Sequence, residues 1–134
     1  MHKIYNTPLF KKLGIIEGST LIVINSPAGY TTTLGKLPIG ASVQEAPNRN
    51  AALIQFFAKS GEELTEYLKE LKPYLSPTGT LWVSWPKKTS KIKTDLDENT
   101  VMGEGLKSGL VDVKVIKIDE DWSALKFVFR LKDR

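Results

Sequence analysis

Three stretches of this chain are apolar without alternation: "STLIVIN" at residues 19–25, "AALIQFFA" at 51–58 and "TLWVSW" at 80–85. A strand with one wet face reads apolar and polar by turns. An unbroken, β-branched and aromatic run therefore suits a strand covered on both faces, as in a parallel sheet flanked by helices. The segments between these runs supply helices. "TPLFKKLG" predicts a short opening helix, with Thr7 as N-cap, Pro8 at the first helical position and Gly14 as the stop. "SPAGY" reads as a turn, and the three threonines of "TTTLGKLPIG" allow one helical turn at most. "ASVQEA", residues 41–46, alternates and stops before Pro47, which suits an edge strand. Ser60 and Glu63 form a capping box for a helix that carries Leu64, Tyr67, Leu68 and Leu71 on one face. Pro73 and "SPTG" end it. Asp95 with Glu98 predicts the cap of a further helix through "DENTVMGEGLKSG", with Met102, Leu106 and Leu110 on one side. "VDVKVIKID" and "ALKFVFRL" alternate, and the turn "EDWS" joins them into an antiparallel hairpin.

This order predicts a single α/β domain over residues 1–134. It is a three-layer, Rossmann-like, mostly parallel sheet that ends in an antiparallel β-hairpin. The topology is similar to a shortened class I methyltransferase fold, in which the last strand inserts antiparallel between its two predecessors. One connection is unusual. Only "PNRN" separates the second and third strands, whereas a helical crossover takes about ten or more residues. Either the connection is extended or the second strand is not an orthodox parallel member.

Composition removes several chemistries. The chain has no Cys, and its one His is His2, so disulfides, thiolate metal sites, His-rich metal sites and Ser/His/Asp or Cys/His catalysis lack their parts. Apolar runs reach about eight residues, against the roughly 20 that span a bilayer, and the N-terminus lacks a signal-peptide core. A cytoplasmic protein with no membrane partner is expected. The net charge is +4, from 16 Lys and three Arg against 15 acidic residues. This suits a solvated surface more than dedicated base or phosphate recognition, where the planar fork of Arg is favoured.

In open α/β sheets, ligands bind outside the carboxyl ends of the strands. Here those loops are "NSPAGY", "AKSG" and "WPKKTSKIKTDL", and a hairpin turn "DEDWS" would stand at the same end. In the lysine loop, Pro86 fixes the exit from the strand and Lys87 and Lys88 project from it. Thr89, Ser90 and Thr94 add hydroxyl donors, and Asp95 serves as an acid, a base, a lysine partner or an N-cap. Asp119, Trp122, Ser123 and Lys126 are expected beside Lys87 and Lys88, with Trp122 either a cap on the core or a flat wall for a ring or cation. "NSPAGY" stands where a phosphate- or S-adenosylmethionine-binding glycine loop would lie. It has one Gly where such loops carry several, and Pro27, Gly29 and Tyr30 also make sense as a turn with a packed ring. Glu45 is the nearest acidic residue to the end of the second strand. A nucleophile such as Ser26 or Ser90 activated by Lys88 can be drawn, but the spacing gives it no support. No catalytic residue is assigned.

"TPLFKKLGI", "LWVSWPKKTS" followed by "TDL", and "GLVDVKVIKIDEDWSALKFV" together resemble a bacterial family of small Rossmann-like proteins classed as a domain of unknown function. The resemblance runs from Thr7 to about Arg130 and rests on the WPKK, TDL and WSxLKF elements in combination. It implies a cytoplasmic bacterial protein and carries over no site residues.

The main expectation is a non-catalytic or weakly catalytic binding module, with no cofactor predicted, for an anionic small molecule or an acidic protein surface at the carboxyl end of the sheet. An alternative is a methyltransferase-like enzyme with S-adenosylmethionine or a dinucleotide in the "NSPAGY" crevice. A third is an RNA-binding or ribosome-associated factor that stacks bases on Trp82, Trp85 and Trp122; the alternation of Trp82 and Trp85 within a strand favours the core for both.

Overall fold

The structure, a computed structural model, describes residues 7–134, so His2 lies outside the described residues. The chain forms one six-stranded sheet: β1 (Thr20–Ile24), β2 (Ser42–Gln44), β3 (Ala51–Phe57), β4 (Leu75–Pro86), β5 (Leu110–Lys117) and β6 (Trp122–Phe129). Its order is β2-β1-β3-β4-β6-β5. The first four strands are parallel, and β6 runs antiparallel between β4 and β5. This is the inserted last strand that the topology predicts.

The continuous apolar runs are buried on both faces. Leu21, Val23, Leu53, Phe57, Trp82 and Ala124 point to one layer, with the helices α1 (Leu9–Leu13) and α2 (Tyr30–Leu34). Ile22, Ile54, Phe56, Leu81, Val83, Trp85 and Phe127 point to the other, with α3 (Gly61–Leu71) and α4 (Glu98–Lys107). Pro8 occupies the cap position of α1 rather than its first turn, and Gly14 ends the helix with φ 87°. The Ser60 hydroxyl accepts from Glu63 N as the predicted box requires, while the Glu63 carboxylate accepts from Lys59 N, one residue before the cap.

The connection between β2 and β3 is extended. Residues 45–50 cross from one side of β1 to the other with no helix, and β2 is an orthodox parallel edge strand. "SPTG" does not end a helix. It lies within β4 as an excursion: Ala51 pairs with Leu75, yet Leu53 pairs with Thr80. Gly79 permits it, because a Cβ there would come 2.8 Å from the Ala51 carbonyl oxygen.

Two expectations about α4 change. Its N-cap is Asp97, whose carboxylate accepts from Thr100 N at 2.8 Å, and not Asp95. Its buried face is Val101 and Gly105, with Met102 packed beside them; Leu106 is exposed and Leu110 begins β5. Apolar periodicity cannot register a glycine as a core position. The hairpin turn is residues 118–121, so Trp122 and Ser123 belong to β6. The outer strand β5 carries an irregularity between Asp112 and Lys114 as well as lysines at 114 and 117, features that discourage pairing along an open sheet edge.

Candidate functional site

The strand order steps outward from β1 to β2 on one side and to β3 on the other, so the carboxyl ends of β1 and β3 form the switch point where such sheets bind ligands. Asn25 ends β1 with φ 60°, and its side-chain amide donates to the Phe57 carbonyl at 2.8 Å, tying the two strand ends together. Asn tolerates this left-handed backbone better than most residues.

Behind the switch point lies a buried polar chain. The Tyr30 hydroxyl donates to Gln55 Oε1 at 2.6 Å, and Gln55 Nε2 donates to Ser84 Oγ at 3.1 Å. Gln55 and Ser84 are fully buried in the middle of the sheet. Burial pushes the Tyr30 phenol well above its ordinary value, an effect that its bond to Gln55 only partly offsets and that Asp119 reinforces. The phenol is a fixed neutral donor. The ring of Phe57 packs edge-on between Tyr30 and Trp122, at 4.8 and 5.0 Å between centroids.

Trp122 is thus a core residue, 3% exposed, and offers no flat wall to a ligand. Trp82 and Trp85 are buried as well, at 0% and 5%, which removes the stacking surfaces that base binding would use. The Trp82 indole donates to the Leu13 carbonyl at 2.9 Å, anchoring α1 to β4.

Two hollows open at the carboxyl end. One, of ≈ 280 Å³, lies between the β1 loop, α2 and the end of β2, and is lined by Ser26, Pro27, Gly29, Tyr30 and Glu45 among others. Glu45 follows β2 directly and turns into this hollow, so the structure brings together the two parts that spacing alone left apart. The other is an open basin of ≈ 620 Å³ ringed by Lys87, Lys88, Lys91 and Lys93.

Ser90, Thr94 and Asp95 also line the basin, yet their polar atoms already have structural partners. The Ser90 hydroxyl donates to Asp121 Oδ1 at 2.8 Å and accepts from Ile92 N. The Thr94 hydroxyl donates to the Lys59 carbonyl at 2.6 Å and accepts from Leu96 N. Asp95 Oδ1 accepts from Gly61 N at 2.9 Å, filling the N-terminus of α3. Asp119 is equally occupied, accepting from the backbone N–H groups of Asp121 and Trp122. The loop is stitched to the hairpin turn on one side and to α3 on the other, and the lysines are its unpinned part. Asp121, whose carbonyl also accepts from Lys87 N at 2.8 Å, is the residue that sequence reasoning missed; the acidic run "DED" facing a lysine loop was its signal. Lys126 is not part of this group. It pairs with Trp82 in the middle of the sheet and lines a hollow towards the amino ends of β1 and β3, while Ser123 pairs with Trp85 nearer the turn.

The fold and the position of these hollows define a Rossmann-like domain of the class I methyltransferase type, shortened to six strands. A SAM-dependent methyltransferase from Aquifex aeolicus has a similar structure, with TM-score 0.63 and 17% identity over 89% of this chain and 86% of that one. The ribosomal protein L11 methylase of Lactobacillus delbrueckii subsp. bulgaricus follows at TM-score 0.60 and 11% identity, over 91% and 75%. A tRNA methyltransferase of B. subtilis matches at TM-score 0.56 and 11% identity, over 97% and 68%. At such identities the likeness establishes the fold. No family model matches the chain and no curated protein does, so the resemblance carried by WPKK, TDL and WSxLKF stands on those motifs alone. Among the described residues no helix is long and apolar enough to cross a membrane.

Proposed function

We propose that this protein binds a nucleoside-type ligand of the S-adenosylmethionine class in the hollow between the β1 loop and the end of β2. The observation that carries this reading is Glu45: a carboxylate just past the second strand, lining the same cavity as the β1 loop, is suited to accept from the two hydroxyls of a ribose. The hollow, at ≈ 280 Å³, falls just below the roughly 300–1,000 Å³ usual for small-molecule sites, room for the nucleoside portion of such a ligand and not the whole of it. When bound, S-adenosylmethionine supplies an activated methyl group. The chain's own contribution is positional. Glu45 orients the sugar, Pro27 and Tyr30 wall the cavity, and Asn25 keeps the ends of β1 and β3 in register. Isothermal titration with S-adenosylmethionine, S-adenosylhomocysteine and adenosine should give saturable binding, weakened about tenfold or more by Glu45→Gln, which exchanges charge-assisted bonds for neutral ones. Absence of binding at millimolar ligand would overturn the proposal.

A second ligand is suggested by the lysine basin, where four lysines line one open depression. In this reading Lys87 and Lys88 hold the anionic part of a small molecule or of an acidic protein surface beside the nucleoside hollow. Replacing both by Ala should abolish the thermal shift given by inorganic phosphate and leave the unliganded melting temperature unchanged. A double variant that responds to phosphate like the parent protein would refute it.

A further inference from the structure

Most of the wall of the β1 hollow comes from one short segment. Residues 26–31 and Leu34 line it, against Val23, Val43 and Glu45 from the strand side. That segment has little of its own to hold it in place. α2 carries three threonines in five residues, its N-cap makes no side-chain hydrogen bond, and the glycines at its two ends, Gly29 and Gly35, have φ of 79° and 76°. Only Tyr30 and Leu34 of α2 are buried. Among the described residues, the backbone hydrogen bonds of residues 26–35 all stay inside the segment: Tyr30 N donates to the Pro27 carbonyl, Thr32 N and Thr33 N to that of Gly29, and Gly35 N to those of Thr31 and Thr32. The Thr33 hydroxyl also turns inward, to the Gly29 carbonyl.

One hydrogen bond leaves the segment. The Tyr30 hydroxyl donates to Gln55 Oε1 at 2.6 Å, and Gln55 is held in turn on Ser84 of β4 at 3.1 Å. Asn25, just before the segment, donates to the Phe57 carbonyl. Both ties therefore end on β3, two residues apart, one at the root of the segment and one beneath its helix. Tyr30 is only 4% exposed, so it touches little of the space it borders. Its effect on a ligand is exerted through the backbone that it fixes.

We infer that Tyr30 is the positioning residue of this hollow: its bond to Gln55 holds the β1 loop and α2 against the sheet in the shape that receives a ligand, with Gln55 and Ser84 as its anchor. The identity of the ligand rests on the nucleoside reading; the tie itself rests on the hydrogen-bond pattern. Without that bond the segment keeps its internal turns and samples positions off the sheet. The measured affinity then falls with the fraction of molecules in the competent arrangement.

Three variants separate positioning from stability. Tyr30→Phe keeps the ring, which packs edge-on against Phe57 at 4.8 Å, and removes the tie. Combined with Gln55→Met and Ser84→Ala, it leaves none of the three positions with an unpartnered polar group, so global stability returns toward that of the parent while the tie stays absent. Glu45→Gln changes the ligand contact and leaves the tie. Amide hydrogen exchange and isothermal titration with S-adenosylhomocysteine are measured on each. Tyr30→Phe and the triple variant should exchange faster than the parent at residues 28–35, relative to α3, and bind about fivefold or more weakly. Glu45→Gln should bind weakly with unchanged exchange. Binding and exchange that recover in the triple variant together with its melting temperature would overturn the inference, as would parent-like exchange at residues 28–35 in Tyr30→Phe. Should the triple variant lose its melting transition, Tyr30→Phe decides alone: acceleration confined to the segment supports the tie, and acceleration spread evenly over the sheet refutes it. A parent protein that binds no S-adenosylhomocysteine retires the nucleoside reading, and the exchange comparison then still decides whether Tyr30 holds the wall.

Discussion

Gly105 is the most exacting position in the second layer of the core. A Cβ built on it would stand 2.1 Å from Cε1 and 2.3 Å from Cζ of Phe127, and Phe127 is fully buried in the centre of β6. To admit one methyl group, the ring must retreat by more than an ångström, or α4 must lift from the sheet. Overpacking of this kind costs about 1–3 kcal/mol, while replacing a helical Gly by Ala gains about 1 kcal/mol in propensity. With the ring held among Leu81, Val83, Val101 and Leu110, the upper part of that range applies, and Gly105→Ala should lose about 2 kcal/mol net. For a domain of this size that lowers the melting temperature by about 6–10 °C. Gly103, two residues earlier on the same helix, has nothing within 4 Å of its virtual Cβ. Gly103→Ala should therefore gain about 0.5–1 kcal/mol. Urea and thermal unfolding of the two variants side by side separate packing from propensity. If both alanines stabilise alike, the described fit of α4 on Phe127 is wrong.

Tyr30→Phe should destabilise by about 1–3 kcal/mol, because it leaves Gln55 Oε1 buried without a donor; a chemical denaturation midpoint reads this directly. Since the Tyr30 phenol is raised in the folded protein, its contribution is present below the ordinary tyrosine value and is lost above it, where only the unfolded chain ionises there; stability should fall in alkali by a component absent from Tyr30→Phe. At the acid end, the Thr100 N–H holds the Asp97 carboxyl below its ordinary value, helped by Lys88. Its contribution is present above the ordinary aspartate range and is lost as pH falls through the lowered value. Asp97→Ala should thus speed amide exchange in the first turn of α4 at neutral pH and lessen the acid sensitivity of that turn.

The architecture was written in the runs 19–25, 51–58 and 80–85, because unbroken apolarity has one structural solution, and in the Ser60 and Glu63 pair, because a capping box is local chemistry. What escaped was set by partners far along the chain. Trp122 and Lys126 both follow the lysine loop in sequence and look like neighbours of Lys87. They stand four residues apart on one strand, about 14 Å, which takes Lys126 from the carboxyl end to the middle of the sheet. Trp122 is a strand residue because it pairs with Pro86, a partner 36 positions back that no local pattern announces. Asp95 and Asp97 are equivalent as sequence, and only the placement of α3 beside the loop tells the cap of α4 from the acceptor of Gly61 N. Glu45 gains meaning from the parallel placement of β2 against β1, which a link read as only "PNRN" had made doubtful.

The insertion of β6 between β4 and β5 also bears on how the chain can be made. A ribosome delivers β4, α4 and β5 before it delivers β6, and in that interval β4 has an open edge and β5 has no partner at all. The layer formed by Val83, Trp85 and Leu110 stays unsealed until Phe127 and Leu125 arrive. Completion of this sheet therefore waits for β6, and a nascent chain stalled before Trp122 presents a long apolar strand edge to its neighbours, a form suited to aggregation or to capture by chaperones.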